Sequence, residues 1–271
     1  MIKEKVGFIG AGNMGEALMR GIIKANLLSP QDVCASDTRD ARLGQLQKDY
    51  GITTLSDNKE LVLMTRIIVL AVKPQNMEEV LKEIAPAIKK KQLVISIAAG
   101  ITTSYIAEHF EPMVPIVRVM PNTPALIQEG ASALAAGKGV AKSDLEKAQE
   151  IFDSVGKTVV VDESLMDAVT GLSGSGPAYF FLFIEVLTDA GVKMGLSRSV
   201  ALLLATQTCL GAAKMIFETG KQPADLRDMV ASKGGTTFSG LKAMEAGGLR
   251  GALMDGVESA TRRSKELGAA K

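Results

Sequence analysis

Val6-Gly7-Phe8-Ile9-Gly10-Ala11-Gly12-Asn13-Met14-Gly15 is the stretch on which the fold turns. The run Lys5–Gly10 is apolar and β-branched enough to read as a strand, and Met14–Ala25 has the spacing of a helix. Between them Gly10, Gly12 and Gly15 spell G-x-G-x-x-G. Gly10 permits a tight turn, Gly12 lets a pyrophosphate approach the backbone, and Gly15 lets helix and strand pack closely. The open amides of the helix start add a positive dipole end, so Ile9, Gly10, Ala11, Gly12, Asn13, Met14 and Gly15 form a candidate phosphate cradle. A glycine-rich turn that holds no ligand is the plain alternative. The strand before it, the helix after it and an acidic residue about 20 positions on favour the dinucleotide.

That acidic residue is Asp37, at the end of a second strand-like run, Val33–Asp37. An Asp here accepts hydrogen bonds from the ribose hydroxyls of NAD and repels the extra phosphate of NADP. Arg39, two residues on, is placed either to pair with that phosphate or to sit in solvent. Both cofactors therefore stay open.

Outward from the turn, Thr65–Val72, Gln92–Ala98, Ile116–Met120, Ala131–Ala136 and Thr158–Val161 read as further strands, several apolar throughout as in sheets covered on both faces. Ala41–Tyr50, Met77–Lys89 and Lys142–Ser154 read as helices between them. The alternation predicts an α/β Rossmann-like doubly wound sheet over residues 1–161. After Asp162 no strand pattern recurs. Ala, Leu, Met and Gly at helical spacing predict an all-α region over 162–271, with one helix through Leu182, Leu187 and Val192 and another over Leu202–Phe217. Gly195, Gly220 and Gly247–Gly248 read as helix stops. The Lys89–Lys91 run reads as a solvated helix end.

Composition narrows the classes. Of 271 residues 46% are hydrophobic and 23% charged, with formal net charge +1, a globular profile with no basic stripe for nucleic acid. No apolar run approaches the roughly 20 residues of a membrane span and no leader precedes the first strand, so the expectation is a soluble, cytoplasmic protein. Cys34 and Cys209 read as buried apolar residues, not as a metal site, and no metal is expected. The one histidine, His109, reads as a surface residue of a mixed helix.

Four further segments accompany the glycine turn: Ala71-Val-Lys-Pro-Gln75, Met120-Pro-Asn-Thr-Pro124, Val169-Thr-Gly-Leu-Ser-Gly-Ser-Gly-Pro-Ala-Tyr179 and Ser232-Lys-Gly-Gly-Thr-Thr237. In order and spacing the chain resembles the pyrroline-5-carboxylate reductases from its first strand to about Leu267. The resemblance implies NAD(P)H-dependent reduction of 1-pyrroline-5-carboxylate to L-proline, the last step of proline synthesis. It implies that Ser36, Asp37 and Arg39 read the adenosine ribose and that Asn58 contacts the cofactor. Ala71, Val72, Lys73, Pro74, Ala98 and Ala99 run along it, and Asn122 and Thr123 lie near the nicotinamide. Glu163 falls close to substrate; Val230, Ser232, Gly234, Gly235, Thr236 and Thr237 hold it. It implies, too, an interlocked homodimer, able to build a larger homo-oligomer, in which one chain's Ser232–Thr237 loop meets the other's nicotinamide. Two departures stand out. Lys233 replaces the family's proline, and Asp37 stands where many relatives carry a small or amide residue.

The chemistry fits that resemblance. A cyclic imine protonates readily near neutrality, so its reduction needs positioning more than a strong acid. Gly234-Gly235-Thr236-Thr237 opens a helix and offers free amides to a carboxylate. Thr237 is the candidate catalytic residue, hydrogen-bonded to the ring nitrogen. The Gly171–Tyr179 segment reads as architecture, and Phe180, Phe181, Leu182 and Phe183 as core or interface. A related imine or 3-hydroxyacid reductase is the nearest alternative, although no lysine is placed as its acid–base. A non-catalytic dinucleotide sensor is the alternative from another class.

Overall fold

A computed structural model describes residues 2–269. Eight strands form one sheet: β1 (Val6–Ile9), β2 (Val33–Ser36), β3 (Thr53–Leu55), β4 (Ile67–Leu70), β5 (Leu93–Ser96), β6 (Ile116–Met120), β7 (Gly130–Ala136) and β8 (Gly156–Val160). Their order is β3-β2-β1-β4-β5-β6-β7-β8, so the chain doubles back at β1, where the neighbours β2 and β4 both pair in parallel. Every residue of β1, β2, β4 and β5 is buried, as strands with helices on both faces require. Alternation splits the core in two. Phe8 packs with Leu18, Ile22 and Phe152 on one face, whereas Ile9 packs with Leu61, Leu81 and Ile84 on the other.

The sheet is not wholly parallel: β7 runs antiparallel to β6. Only the stretch 121–129 joins them, too short for the crossover of a dozen or more residues that a parallel return needs.

The helices of this part are α1 (Asn13–Lys24), α2 (Asp40–Tyr50), α3 (Asn58–Met64), α4 (Met77–Ile84), α5 (Thr103–Ala107), α6 (Lys142–Asp153) and α7 (Met166–Val169). Strand β3 and helix α3 were not expected from periodicity, being three and seven residues long. The helix has a local signal nonetheless: Asp57 accepts from the amides of Lys59 and Glu60, and Glu60 stands at the third helical position, a capping-box spacing. Helix α4 ends at Ile84 and a 3-10 turn over Ala85–Ala87 follows. Lys89–Lys91 therefore lie exposed in a turn and not at a helix end, and His109 lies just past α5.

The helical part comprises α8 (Gly176–Lys193), α9 (Arg198–Thr219), α10 (Pro223–Val230), α11 (Thr236–Ala246) and α12 (Leu249–Ala269). Helices α8 and α9 approach closely through small residues: a Cβ on Gly191 would stand 2.9 Å from that of Ala201. Gly195, Gly220 and Gly248 have positive φ where these helices stop, a conformation only glycine adopts cheaply.

The chain divides into two compact units. One runs to Ser175 and includes the residues from Ser259 on; the other is Gly176–Glu258. The expected boundary at 161/162 precedes this one because the next turn docks on the sheet. Met166, fully buried, packs with Ala133 and Ala135 of β7, and Asp167 accepts a 2.6 Å hydrogen bond from Ser264 of α12.

Candidate functional site

The glycine turn is built by exclusion. Gly10 has φ +98°, and a Cβ there would meet the Ala71 carbonyl oxygen at 2.7 Å. A Cβ on Gly15 would meet the Gly10 carbonyl oxygen at 2.5 Å, whereas one on Gly12 would meet nothing within 4 Å. Two glycines are thus filled in by the protein's own backbone and the third faces open space. Gly12 is also the N-cap of α1 and supplies no side-chain cap, so the first amides of that helix are left for another acceptor. This is the cradle a pyrophosphate fits.

Side chains outside the motif hold the turn in place. Arg42 of α2 donates from Nε to the Ala11 carbonyl at 2.9 Å and pairs with Glu16, whose other oxygen accepts from the Tyr50 hydroxyl at 2.8 Å. Burial works to raise the Glu16 pKa, but the hydrogen bonds from Arg42 and Tyr50 win and leave it lowered. Nothing in the motif points to Arg42. Its only signal is that it stands about one helical turn into α2, over the loop.

At the end of β2, Asp37 is 8% exposed and Arg39 60%. Asp37 accepts from the Ala11 amide at 2.8 Å and from the Arg39 amide at 3.0 Å. The Arg39 guanidinium adds two more bonds, at 2.8 and 3.0 Å. Arg39 above all holds the Asp37 carboxyl below its ordinary range. Ser36 donates to Asn58 at 2.7 Å, and Asn58 in turn donates to Glu83 at 2.7 Å, which fixes the orientation of its amide. Glu83, on α4, is a further residue with no sequence signal.

Ala71, Val72, Lys73 and Pro74 follow β4 directly, and Ala98 and Ala99 follow β5. Val72 and Ala71 are half-buried, Lys73 and Ala99 exposed, Ala98 buried. The carboxyl ends of β1, β2, β4 and β5 thus bring these residues to one edge of the sheet, beside the point where strand order reverses.

Asn122 is occupied in holding the backbone. It donates to the Ser173 carbonyl at 3.1 Å and accepts from the Ala131 amide at 2.9 Å; Thr123 opens the 3-10 turn beside it. Glu163 is likewise engaged: Thr103 gives it an amide at 2.8 Å and a hydroxyl at 2.5 Å, and buried Arg118 approaches to 3.4 Å. The buried arginine in β6 breaks the apolar strand pattern, which is the one sequence cue to this cluster.

In the second unit Val230 ends α10 and is exposed. Gly234 has φ +73°, and Gly235 is the N-cap of α11 without a side-chain cap bond. A Cβ on Gly235 would meet Ser232 Oγ at 2.4 Å and the Ser232 carbonyl oxygen at 3.2 Å, so a larger residue there would have to turn the serine hydroxyl aside. Ser232 stands exposed, and Thr236 and Thr237 form the first turn of α11, whose first amides are free to donate to an anion. The structure therefore brings Ser232 through Thr237 together at one helix start.

Among the described residues no group of three or more His, Cys, Asp and Glu side chains is placed to hold a metal. Cys34 is buried and Cys209 half-buried. Helix α9 is, among the described residues, the one helix long and apolar enough to cross a membrane by length and composition, a test that isolated sequence runs did not reveal.

A doubly wound sheet with a phosphate cradle at its reversal point defines a dinucleotide-dependent oxidoreductase, and residues 5–100 match the family model described as NADP oxidoreductase, coenzyme F420-dependent. Residues 163–267 match the model for pyrroline-5-carboxylate reductase dimerisation. The pyrroline-5-carboxylate reductase of Methanosarcina acetivorans is 49% identical over 99% of both chains. The solved structure of one from Coxiella burnetii superposes with a TM-score of 0.94, at 38% identity over 98% of this chain and 99% of that one. One from Plasmodium falciparum with NADP bound gives 0.87, at 37% identity over 99% of each. The chain belongs to the pyrroline-5-carboxylate reductase family, as an NAD(P)-dependent enzyme whose helical region carries the family's dimerisation domain.

Proposed function

We propose that the chain reduces the C=N bond of 1-pyrroline-5-carboxylate to give L-proline, using NADH or NADPH, in the cytoplasm and as a homodimer or a larger homo-oligomer. The observation that carries this is the pairing, in one chain of this family, of the cradle at Gly10–Gly15 with the capless helix start at Ser232–Thr237. The functional division follows the two sets: residues 1–161 bind dinucleotide, and 162–271 bind substrate and dimerise. Nucleic acid and membrane play no part, given a net charge of +1 and an apolar α9 within the dimerisation match.

When bound, the nicotinamide supplies the hydride. The chain's own residues do the positioning. Gly10, Gly12 and Gly15 with the amides of α1 hold the pyrophosphate; Ala71–Pro74, Ala98 and Ala99 line its path. The amides of Thr236 and Thr237, with the Ser232 hydroxyl, hold the substrate carboxylate. Thr237 accepts a hydrogen bond from the protonated ring nitrogen, which keeps that proton as the adjacent carbon becomes saturated. No acid of unusual strength is needed. Asn122 and Glu163 act from behind, keeping backbone and neighbouring side chains in register. The test is steady-state turnover of pyrroline-5-carboxylate with NADH and NADPH side by side, against oxidation of 3-hydroxyisobutyrate. Turnover of the hydroxyacid without that of the imine overturns the reading.

A further inference from the structure

The end of β2 gives Asp37 a different part from the one an acidic residue usually plays there. A carboxylate has about four acceptor sites. In Asp37 they meet four donors: the Ala11 amide, the Arg39 amide, Arg39 Nε and Arg39 Nη2. Nothing is left with which to accept from a ribose hydroxyl. The charge is spent as well, because the guanidinium lies bidentate on the carboxylate and cancels the field that would repel a phosphate. Arg39 has five guanidinium N–H groups, less the two given to Asp37, so three remain. They belong to a side chain that is 60% exposed while its anchor is 8% exposed. The anchor ties the guanidinium to the same Ala11 whose carbonyl Arg42 holds, hence to the cradle itself.

We infer that Asp37 is a clamp and not a ribose ligand: it holds Arg39 beside the phosphate cradle as an anion subsite for a ribose 2′-phosphate, and Arg39 in return masks the Asp37 charge. The pair works as a lock on cofactor choice. With Arg39 present, a 2′-phosphorylated ribose meets guanidinium N–H groups. With Arg39 removed, the same carboxylate is unmasked, free to accept from 2′- and 3′-hydroxyls and to repel phosphate. The inference rests on the dinucleotide-binding reading of the first unit.

Calorimetric binding of two fragments, 2′,5′-ADP and 5′-AMP, tests it without turnover. In the unaltered chain 2′,5′-ADP binds at least as tightly as 5′-AMP. Arg39→Ala lowers the ratio of the two affinities by about ten- to a hundredfold, the worth of one charge-assisted hydrogen bond. Adding Asp37→Asn to Arg39→Ala restores at least about threefold of that ratio, since the charge it unmasked is gone. A double variant with the ratio of Arg39→Ala alone overturns the clamp, and so does an Arg39→Ala that leaves the ratio unchanged. Failure of both fragments to bind the unaltered chain removes the dinucleotide reading along with it. Binding of both with an insensitive ratio removes only the clamp. Melting temperatures of the unaltered chain and both variants, expected within a few degrees of each other, separate loss of the subsite from loss of fold.

Discussion

The two units solve the burial of apolar surface in opposite ways. In the α/β unit, Phe8, Phe152, Leu18 and Ile22 have no exposure at all, because the sheet carries helices on both faces. In the helical unit Phe181, Leu203 and Phe217 are 66, 67 and 78% exposed, although α8 and α9 are among the most apolar segments of the chain. Leu182 and Phe180 stand out similarly. A unit that closes its own core can be specified by its own sequence; one that presents this much aromatic and aliphatic surface is specified together with what covers it. Residues 163–267 match the family's dimerisation model, and the cover we propose is a second copy.

The largest effect should come from mixing two inactive chains. A Gly12→Asp variant puts a carboxylate in the proposed phosphate cradle, and a Thr237→Val, Gly235→Asp variant is designed to disable the proposed substrate loop. If the site is shared between chains, exchange restores about a quarter of unmutated activity, because half the dimers are mixed and each has one intact pairing. Persistent inactivity, with mixed dimers demonstrated by mass, would place the whole site in one chain and break the comparison. Next, Phe181→Asp should weaken dimerisation by at least about a hundredfold, measured by sedimentation. It should cost the isolated unit's own fold less than about 0.5 kcal/mol, since the ring is already exposed. Thr237→Val should lower kcat about ten- to a hundredfold, the worth of one hydrogen bond to a charged group, while cofactor binding measured by fluorescence is unchanged.

Within the first unit the glycines sharpen the contrast. Gly15→Ala drives a Cβ against the Gly10 carbonyl and should cost about 1–3 kcal/mol in denaturant unfolding. Gly12→Ala, whose Cβ enters open space, should cost less than about 1 kcal/mol while weakening dinucleotide binding. The smallest effect concerns acid. Arg39 lowers the Asp37 pKa from the ordinary 3.8. The stability this adds is therefore present above that ordinary value and fades as pH falls through the lowered one. Unfolding curves of the unaltered chain and Asp37→Asn should converge by less than about 1 kcal/mol between pH 5 and pH 2.

Much of this was legible in the residues. The glycine turn, seven of the strands and the change to helices after Asp162 follow from period and composition, since each is a local pattern with a local cause. Strand β3 and helix α3 were not, because three and seven residues are too few to show a period. The reversal at β7 is a matter of connection length, which strand patterns do not carry. The helix start at Thr236 was legible because a doubled glycine before two threonines has a local consequence. The partners Arg42, Glu83, Thr103 and Arg118 were not, for they act across 31, 25, 60 and 45 positions of chain. The occupation of Asp37 lay between these cases: Arg39 was in view as a neighbour, but only geometry shows that the two residues spend their bonding capacity on each other.

Helix α12 carries a consequence for anyone wishing to handle the halves separately. The compact unit that holds the glycine turn includes residues from Ser259 on, and Ser264 reaches Asp167 there. The helical unit is therefore spliced into its host, not appended to it. A gene cut after codon 175 yields a cofactor module missing its closing segment, whereas excising 176–258 keeps both pieces of it. In modular terms the segment that holds Ser232–Thr237 is cargo inserted between two stretches of one vessel.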